Sequence, residues 1–226
     1  MNSEPFWKRG LSYLWDIQIE SAESDFNPEL HISLRRGRYQ LCTTHAVYSY
    51  EDRYDNFVHA FQRIRLDRLT DAGVLVLGLG LASIPTVLEH RFGKNFRYTA
   101  VEIDEAVIDL AGRYALPFIQ SPVEIVCADA FAYVRQAGRQ FDLICMDVFQ
   151  DDVVPSDFER FVFLEALQQL LAPGGMLLYN RLAASRMDKK ESRAFFEEIF
   201  MGVFRNGALI DVGANYLLLN DAEFLR

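Results

Sequence analysis

The sequence has no apolar run approaching the ~20 residues that a membrane-crossing helix needs. Its first residues, MNSEPFWKRGLSYLWDI, hold no continuous apolar segment ahead of a small-residue cleavage site, so a secretory leader is not expected. Cysteine is scarce: there are three, Cys42, Cys127 and Cys145, odd in number and far apart. Cys127 and Cys145 sit in apolar, strand-like runs that suit buried thiols, and a reducing, cytoplasmic setting is the default expectation. The histidines pair with neither each other nor a cysteine at metal-ligand spacing, so no metal is expected. There is no internal repeat, low-complexity tract or Pro/Gly-rich linker. Positive charge is in the minority, with 23 Lys+Arg against 32 Asp+Glu and a net charge of −9, which argues against a nucleic-acid partner.

What is present can build a sizeable core, since 50% of the 226 residues are hydrophobic. The pattern changes near residue 72. Before it, apolar residues alternate in short runs, with Arg36-Gly37 as a turn between two strand-like arms. This predicts a small antiparallel β lobe over residues 1–53. The rest, residues 54–226, reads as a nucleoside-binding α/β domain. A helix-period stretch spans about Tyr54 to Leu69. Strands at Val74–Leu77, Arg97–Val101, Val123–Val126, Phe141–Met146 and Met176–Tyr179 then alternate with helices, one of them from Phe158 to Leu171 before Pro173-Gly174-Gly175. Such alternation implies a doubly wound, mostly parallel sheet. A helix over 185–204 leads to two final strands whose short connection, Gly213-Ala-Asn, makes them antiparallel neighbours.

The strongest local signal is Val74-Leu-Val-Leu-Gly78-Leu-Gly80-Leu-Ala-Ser83, followed by Val101-Glu102-Ile-Asp104. Glycines at a strand end let the backbone turn sharply beside a ligand, and the next helix N-terminus offers free N–H groups, with Ser83 or a neighbour as its cap. Glu102 lies 22 residues after Gly80, at a strand tip, where a carboxylate suits a ribose diol. Asp104 is placed as the next helix cap. Asp129-Ala130 and Asp147 end the third and fourth strands. Ligands of such sheets bind beyond the carboxyl ends of the strands, so Gly78, Glu102, Asp129 and Asp147 should converge. Asp129 suits an adenine amino group and equally a helix cap at Ala130.

The string VLVLGLG…VEIDEAVIDLA…CADAFAYV…FDLICMDVFQDD…LAPGGMLL resembles the core of spermidine synthases and related aminopropyltransferases, whose fold is that of S-adenosylmethionine-dependent methyltransferases. Gly37-Arg-Tyr-Gln40 and the tyrosine-containing segment after it are similar to the family's N-terminal hairpin. The resemblance covers about residues 12 to 182. It implies a ligand such as S-adenosylmethionine, its decarboxylated form or methylthioadenosine, held by Gly78, Gly80, Glu102, Asp104, Asp129 and Ala130. It implies a small, cationic amine as acceptor, Asp147 as base or amine anchor, and a homodimer. Tyr54, less clearly Tyr50, with Gln40 and Asp151, would line the amine site, although Tyr54 reads equally as an aromatic packed where lobe meets core. Three features depart from the pattern. Leu81 stands where the family carries an aspartate in its glycine turn. Leu77 stands where methyltransferases often carry an acid. The second acid of the loop after Asp147 is displaced to Asp151 and Asp152. A small-molecule methyltransferase and a non-catalytic nucleoside-binding homologue therefore remain as alternatives.

Overall fold

The alternation of the first fifty residues becomes a four-stranded antiparallel sheet in a computed structural model, which describes residues 5–27, 29–43, 47–150 and 153–226. A short helix, α1 (Phe6–Leu11), precedes β1 (Ile17–Ala22), β2 (Leu30–Arg35), β3 (Arg38–Cys42) and β4 (Val47–Ser49), paired in that order. Arg36 and Gly37 both have positive φ, 48° and 75°, as a two-residue hairpin turn with the strands' own twist requires. Leu30, Ile32, Leu34 and Leu41 are fully buried and share one core with Phe57, Phe61, Val74 and Val76. The lobe thus has no separate core: it packs as a wall against one face of the larger sheet.

Helix α2 (Asp55–Arg63) ends six residues before the expected Leu69. Ile64 turns extended and bridges Leu225, and the Arg65 N–H donates to the Phe224 carbonyl at 2.8 Å. The C-terminal segment therefore captures the chain where helical periodicity would have carried it on.

The remainder alternates as expected: β5 (Gly73–Leu77), α3 (Ser83–Phe92), β6 (Arg97–Glu102), α4 (Glu105–Tyr114), β7 (Val123–Cys127), α5 (Ala130–Gln136), β8 (Phe141–Met146), α6 (Phe161–Leu170), β9 (Leu171–Leu182), α7 (Arg186–Phe195), β10 (Ala208–Asp211) and β11 (Asn215–Leu219). The sheet order is β10-β11-β9-β8-β5-β6-β7, with β9 through β7 parallel and β10 and β11 antiparallel. Along β5, Val74 and Val76 face the core shared with the lobe, whereas Leu75 and Leu77 join Phe163 and Leu167 on the other face. A strand covered on both faces has no polar side, which is why these strands read as unbroken apolar runs.

Two helices differ from their expected bounds. The one predicted from Phe158 begins at Phe161, after a 3-10 turn over Ser156–Glu159, and stops at Leu170 because Leu171 already pairs with Phe141 of β8. The last one starts as expected, with Ser185 and Asp188 forming a reciprocal capping box. It is α-helical only to Phe195, then widens into a π turn over Phe196–Phe200 that brings Phe200 and Phe195 against Tyr179.

Strand β5 lies between β6 and β8, so the chain leaves it in opposite directions and a crevice opens at the carboxyl ends. Gly78 stands there with φ 88°. Its N–H donates to the Val101 carbonyl at 2.9 Å, and the Asp147 N–H donates to the Leu77 carbonyl at 2.8 Å. A Cβ on Gly78 would collide with the Asp147 carbonyl, approaching its carbon to 2.9 Å. Gly93 also has positive φ, 64°, but open space around it. Gly78→Ala is expected to cost at least ~3 kcal/mol, from strain plus collision, while Gly93→Ala costs ~1 kcal/mol; urea unfolding of both variants checks the contrast.

Candidate functional site

The crevice is a cleft of about 1370 Å3 between the carboxyl edge of the large sheet and the β lobe. Its acidic side is built from the tips of β6 and β7. Glu102 ends β6 and accepts from the Leu79 N–H at 3.0 Å on Oε2, and from the Ile103 and Asp104 N–H groups at 3.0 and 3.2 Å on Oε1. These bonds fix the carboxylate across the glycine turn, while burial pushes its pKa up. The carboxylate lines the cleft with most of its acceptor sites taken by these backbone groups.

Asp104 is the N-cap of α4, as the sequence indicates, with Oδ1 accepting from the Ala106 N–H at 2.9 Å. Its Oδ2 accepts from the Ser24 hydroxyl at 2.5 Å and Asn27 Nδ2 at 2.9 Å. Asp104 is almost wholly buried and borders the cleft, so its visible work is to clasp the lobe to the α/β domain. Asp129 caps α5 through Oδ1, accepting from the Ala132 N–H at 2.7 Å, and together with Ala130 it lines the cleft. The cap uses one oxygen, leaving the other for a second role.

Gly80, with φ 51°, lies under the lobe, its ideal Cβ position 3.0 Å from that of Ser49. Ser83 does not cap α3: Ala82, itself at φ 49°, holds that position without a side-chain bond. The Ser83 hydroxyl instead shares a 2.6 Å hydrogen bond with Ser49 and accepts from the Tyr50 N–H at 2.9 Å. The Leu81 N–H donates to the Ser49 hydroxyl at 2.9 Å. The first turn of α3 is thus engaged by the lobe, and the Leu81 side chain is fully buried in the core.

Asp147, just past β8, lines the cleft. Asn180 of β9 donates to its Oδ1 at 2.8 Å, and the Tyr54 hydroxyl, at the start of α2, also donates to it. Burial raises the Asp147 pKa to about 6, against the pull of those two donors and with a further push from Glu102. Burial, then the Asp147 charge, raises that of Tyr54 well above its usual value. Asn180 is in turn oriented by Asn215 of β11, whose Nδ2 donates to its Oδ1 at 3.0 Å. Gln40 lines the cleft wall and is buried, with Nε2 donating to Ser33 at 2.7 Å. Tyr50 lines the cleft too, and its hydroxyl donates to the Arg35 carbonyl at 3.1 Å. Asp151 and Asp152 lie outside the described residues.

The cleft therefore brings together Gly78, Gly80, Glu102, Asp104, Asp129, Ala130, Asp147, Tyr54, Gln40 and Tyr50. Asn180 and Asn215 were not singled out from the sequence. Their one local signal is a polar residue at the edge of a buried apolar run, Leu-Leu-Tyr-Asn180. Among the described residues no group of three His, Cys, Asp or Glu could hold a metal ion, and no helix is long and apolar enough to cross a membrane.

With this geometry, residues 71–201, more than half of the chain, match the spermine/spermidine synthase domain: the chain belongs to that family. The polyamine aminopropyltransferase of Vibrio vulnificus is 29% identical over 150 residues, covering 65% of this chain and 49% of that relative. The chain thus spans about half the length of this curated relative. Among solved structures, a probable spermidine synthase from Corynebacterium glutamicum aligns with TM-score 0.71 at 21% identity, covering 88% of this chain and 78% of that one. Human methyltransferase-like protein 13, in complex with SAH, aligns with TM-score 0.59 at 23% identity, covering 74% and 80%. The α/β fold with its separate antiparallel sheet is thereby that of the methyltransferase-like spermidine synthases.

The raised pKa of Asp147 sets a pH dependence of stability. Below its ordinary 3.8 the carboxyl is protonated in both folded and unfolded chains; between 3.8 and about 6 only the folded chain keeps the proton. The group's contribution to stability therefore falls as pH rises through that window. Asp147→Asn removes the titration while keeping the shape. It is expected to raise stability at pH 7 by ~1–3 kcal/mol and flatten the pH–stability curve between 4 and 6. Thermal unfolding across that range checks both.

Proposed function

We propose that this protein is a transferase that binds an S-adenosyl-type nucleoside and alkylates a small amine, with Asp147 as the base. The observation that carries the reading is Asp147 in the lining of the cleft, raised in pKa and held by Tyr54 and Asn180. The residues around it suit the nucleoside. Glu102 stands at the strand tip where a carboxylate suits a ribose diol, Asp129 keeps one oxygen free for an adenine amino group, and half-exposed Ile103 gives a flat base an apolar contact. Gly78 and Gly80, both at positive φ, let the chain turn sharply beside the ligand. Bound there, an S-adenosyl sulfonium supplies an electrophilic carbon and a neutral thioether leaving group.

The residues of this chain then have defined tasks. An alkylammonium has no lone pair, so Asp147 takes one N–H proton onto its carboxylate, freeing the nitrogen pair for attack. Tyr54 and Asn180 both donate to that carboxylate, which orients it and limits how far burial raises its pKa. Asn215 fixes the amide of Asn180 so that the NH2, not the carbonyl, faces Asp147. Negative charge at Asp147 also stabilises the cations gathered in the site.

The reading is tested by parallel calorimetric titrations with S-adenosylmethionine, its decarboxylated form and methylthioadenosine. Tighter binding of the decarboxylated ligand supports aminopropyl transfer; preference for S-adenosylmethionine moves the reaction to methyl transfer; binding of none would overturn the reading. In the active protein, kcat/KM should fall on acidification with a limb near pH 6 that vanishes in Asp147→Asn along with turnover. Asn180→Ala should lower kcat by ~10-fold or more and move that limb upward, because a donor to the carboxylate is lost.

A further inference from the structure

Among the described residues, three large apolar side chains of the cleft lining stay open to solvent. Phe26 is 45% exposed, Val47 50% and Ile103 40%, and all three line the cleft. Exposed apolar surface inside a concave site is where the apolar part of a ligand finds its partners. Each of the three immediately precedes a member of one polar cluster, made of Asn27, Tyr48 and Asp104. The Tyr48 hydroxyl donates to Asn27 Oδ1 at 2.7 Å, and Asn27 Nδ2 donates to Asp104 Oδ2 at 2.9 Å. One set of hydrogen bonds therefore ties together the turn after β1, strand β4 and the end of β6, each of which brings one apolar residue to the cleft.

The backbone at Phe26 is fixed by this cluster. Ser24 Oγ accepts from the Phe26 and Asn27 N–H groups, each at 3.0 Å, which closes a tight turn around Phe26. The same hydroxyl donates to Asp104 Oδ2 at 2.5 Å, so the Phe26 N–H and the Asp104 carboxylate share one oxygen atom as partner. Ile103 is the residue before Asp104. The Ala128 N–H donates to the Glu102 carbonyl at 3.0 Å, which brings the end of β7, with Ala128 and Asp129 in the cleft lining, beside the end of β6. Phe26 of the lobe is thus pinned to the same strand end that carries Glu102 and adjoins Asp129.

A purine seated against these strand ends has two broad faces to remove from water. Ile103 belongs to the α/β domain and suits one of them. An aromatic ring suits the other, because stacking on a base uses its π face and needs no hydrogen-bond pattern.

We infer that Phe26 is a base-binding residue: its ring stacks on the purine of the bound nucleoside, with Val47 extending the apolar wall, so that the base is held between the lobe and Ile103. The inference rests on the transferase reading above and adds a residue of the small lobe to its nucleoside site.

Calorimetric titration of methylthioadenosine and of adenosine into the wild-type, Phe26→Ala and Phe26→Tyr proteins tests it. Phe26→Ala should weaken both nucleosides by on the order of ten-fold and by the same factor, because the base is common to both. Phe26→Tyr keeps the ring and should bind nearly as tightly as wild type. Phe26 is half-exposed, so thermal unfolding of ligand-free Phe26→Ala should match that of wild type. In Phe26→Trp, methylthioadenosine should quench the tryptophan emission, while the emission of the wild-type protein, from Trp7 and Trp15, stays unchanged. Unchanged nucleoside affinity in Phe26→Ala, or a Phe26→Trp emission that does not respond, would overturn the inference and leave the transferase reading standing. Binding of neither nucleoside to the wild-type protein would strike that reading itself, and the inference with it.

Discussion

The close approach of two strand tips governs the site. Gly78, leaving β5, packs its bare Cα against the Asp147 carbonyl at the end of β8. The Asp147 N–H to Leu77 carbonyl bond fixes the register between them. No side chain fits between, so the glycine turn is also the surface against which the Asp147 carboxylate is set. From that contact the polar chain runs outward through Asn180 to Asn215 on one side and to Tyr54 on the other. Each partner comes from a different element. The carboxylate's orientation is thus a property of the assembled sheet rather than of any one loop.

The small lobe is the second part of the same construction. It buries its apolar face on the large sheet, and its polar links converge on the cleft rim. Ser24 and Asn27 meet Asp104, Tyr48 donates to Asn27 at 2.7 Å, and Ser49 meets Ser83 and the Leu81 N–H. Such bonds add little net stability each, but leaving any buried partner unmet is costly, so together they specify how the lobe seats. The lobe closes the glycine turn from above and carries Gln40 and Tyr50.

Much of this was legible from residue order. Gly78, Glu102 and Asp129 could be placed because each stands at the end of an apolar run in a βα alternation, and such ends converge by topology alone. Asp104 was recognisable as a cap for the same reason, though its hold on Ser24 and Asn27 was not, since those partners lie about 80 residues away in sequence. Leu81 stood out only because it occupies the place of an aspartate in the family's glycine turn. In the fold its side chain turns into the core, and its backbone N–H, not its side chain, meets the lobe.

The sequence by itself determined the elements and their alternation, because apolar periodicity, caps and turn glycines are local properties written within a few residues. It also determined the family, because the strand-end motifs follow one another at characteristic spacing. Only the tertiary structure decided where α2 stops and which polar residues hold Asp147. Those outcomes depend on contacts between segments far apart in the chain, such as Ile64 with Leu225, and Asn180 with Asn215 and Asp147. Burial and hydrogen-bond satisfaction settle such contacts once the whole chain is packed, and no local pattern encodes them.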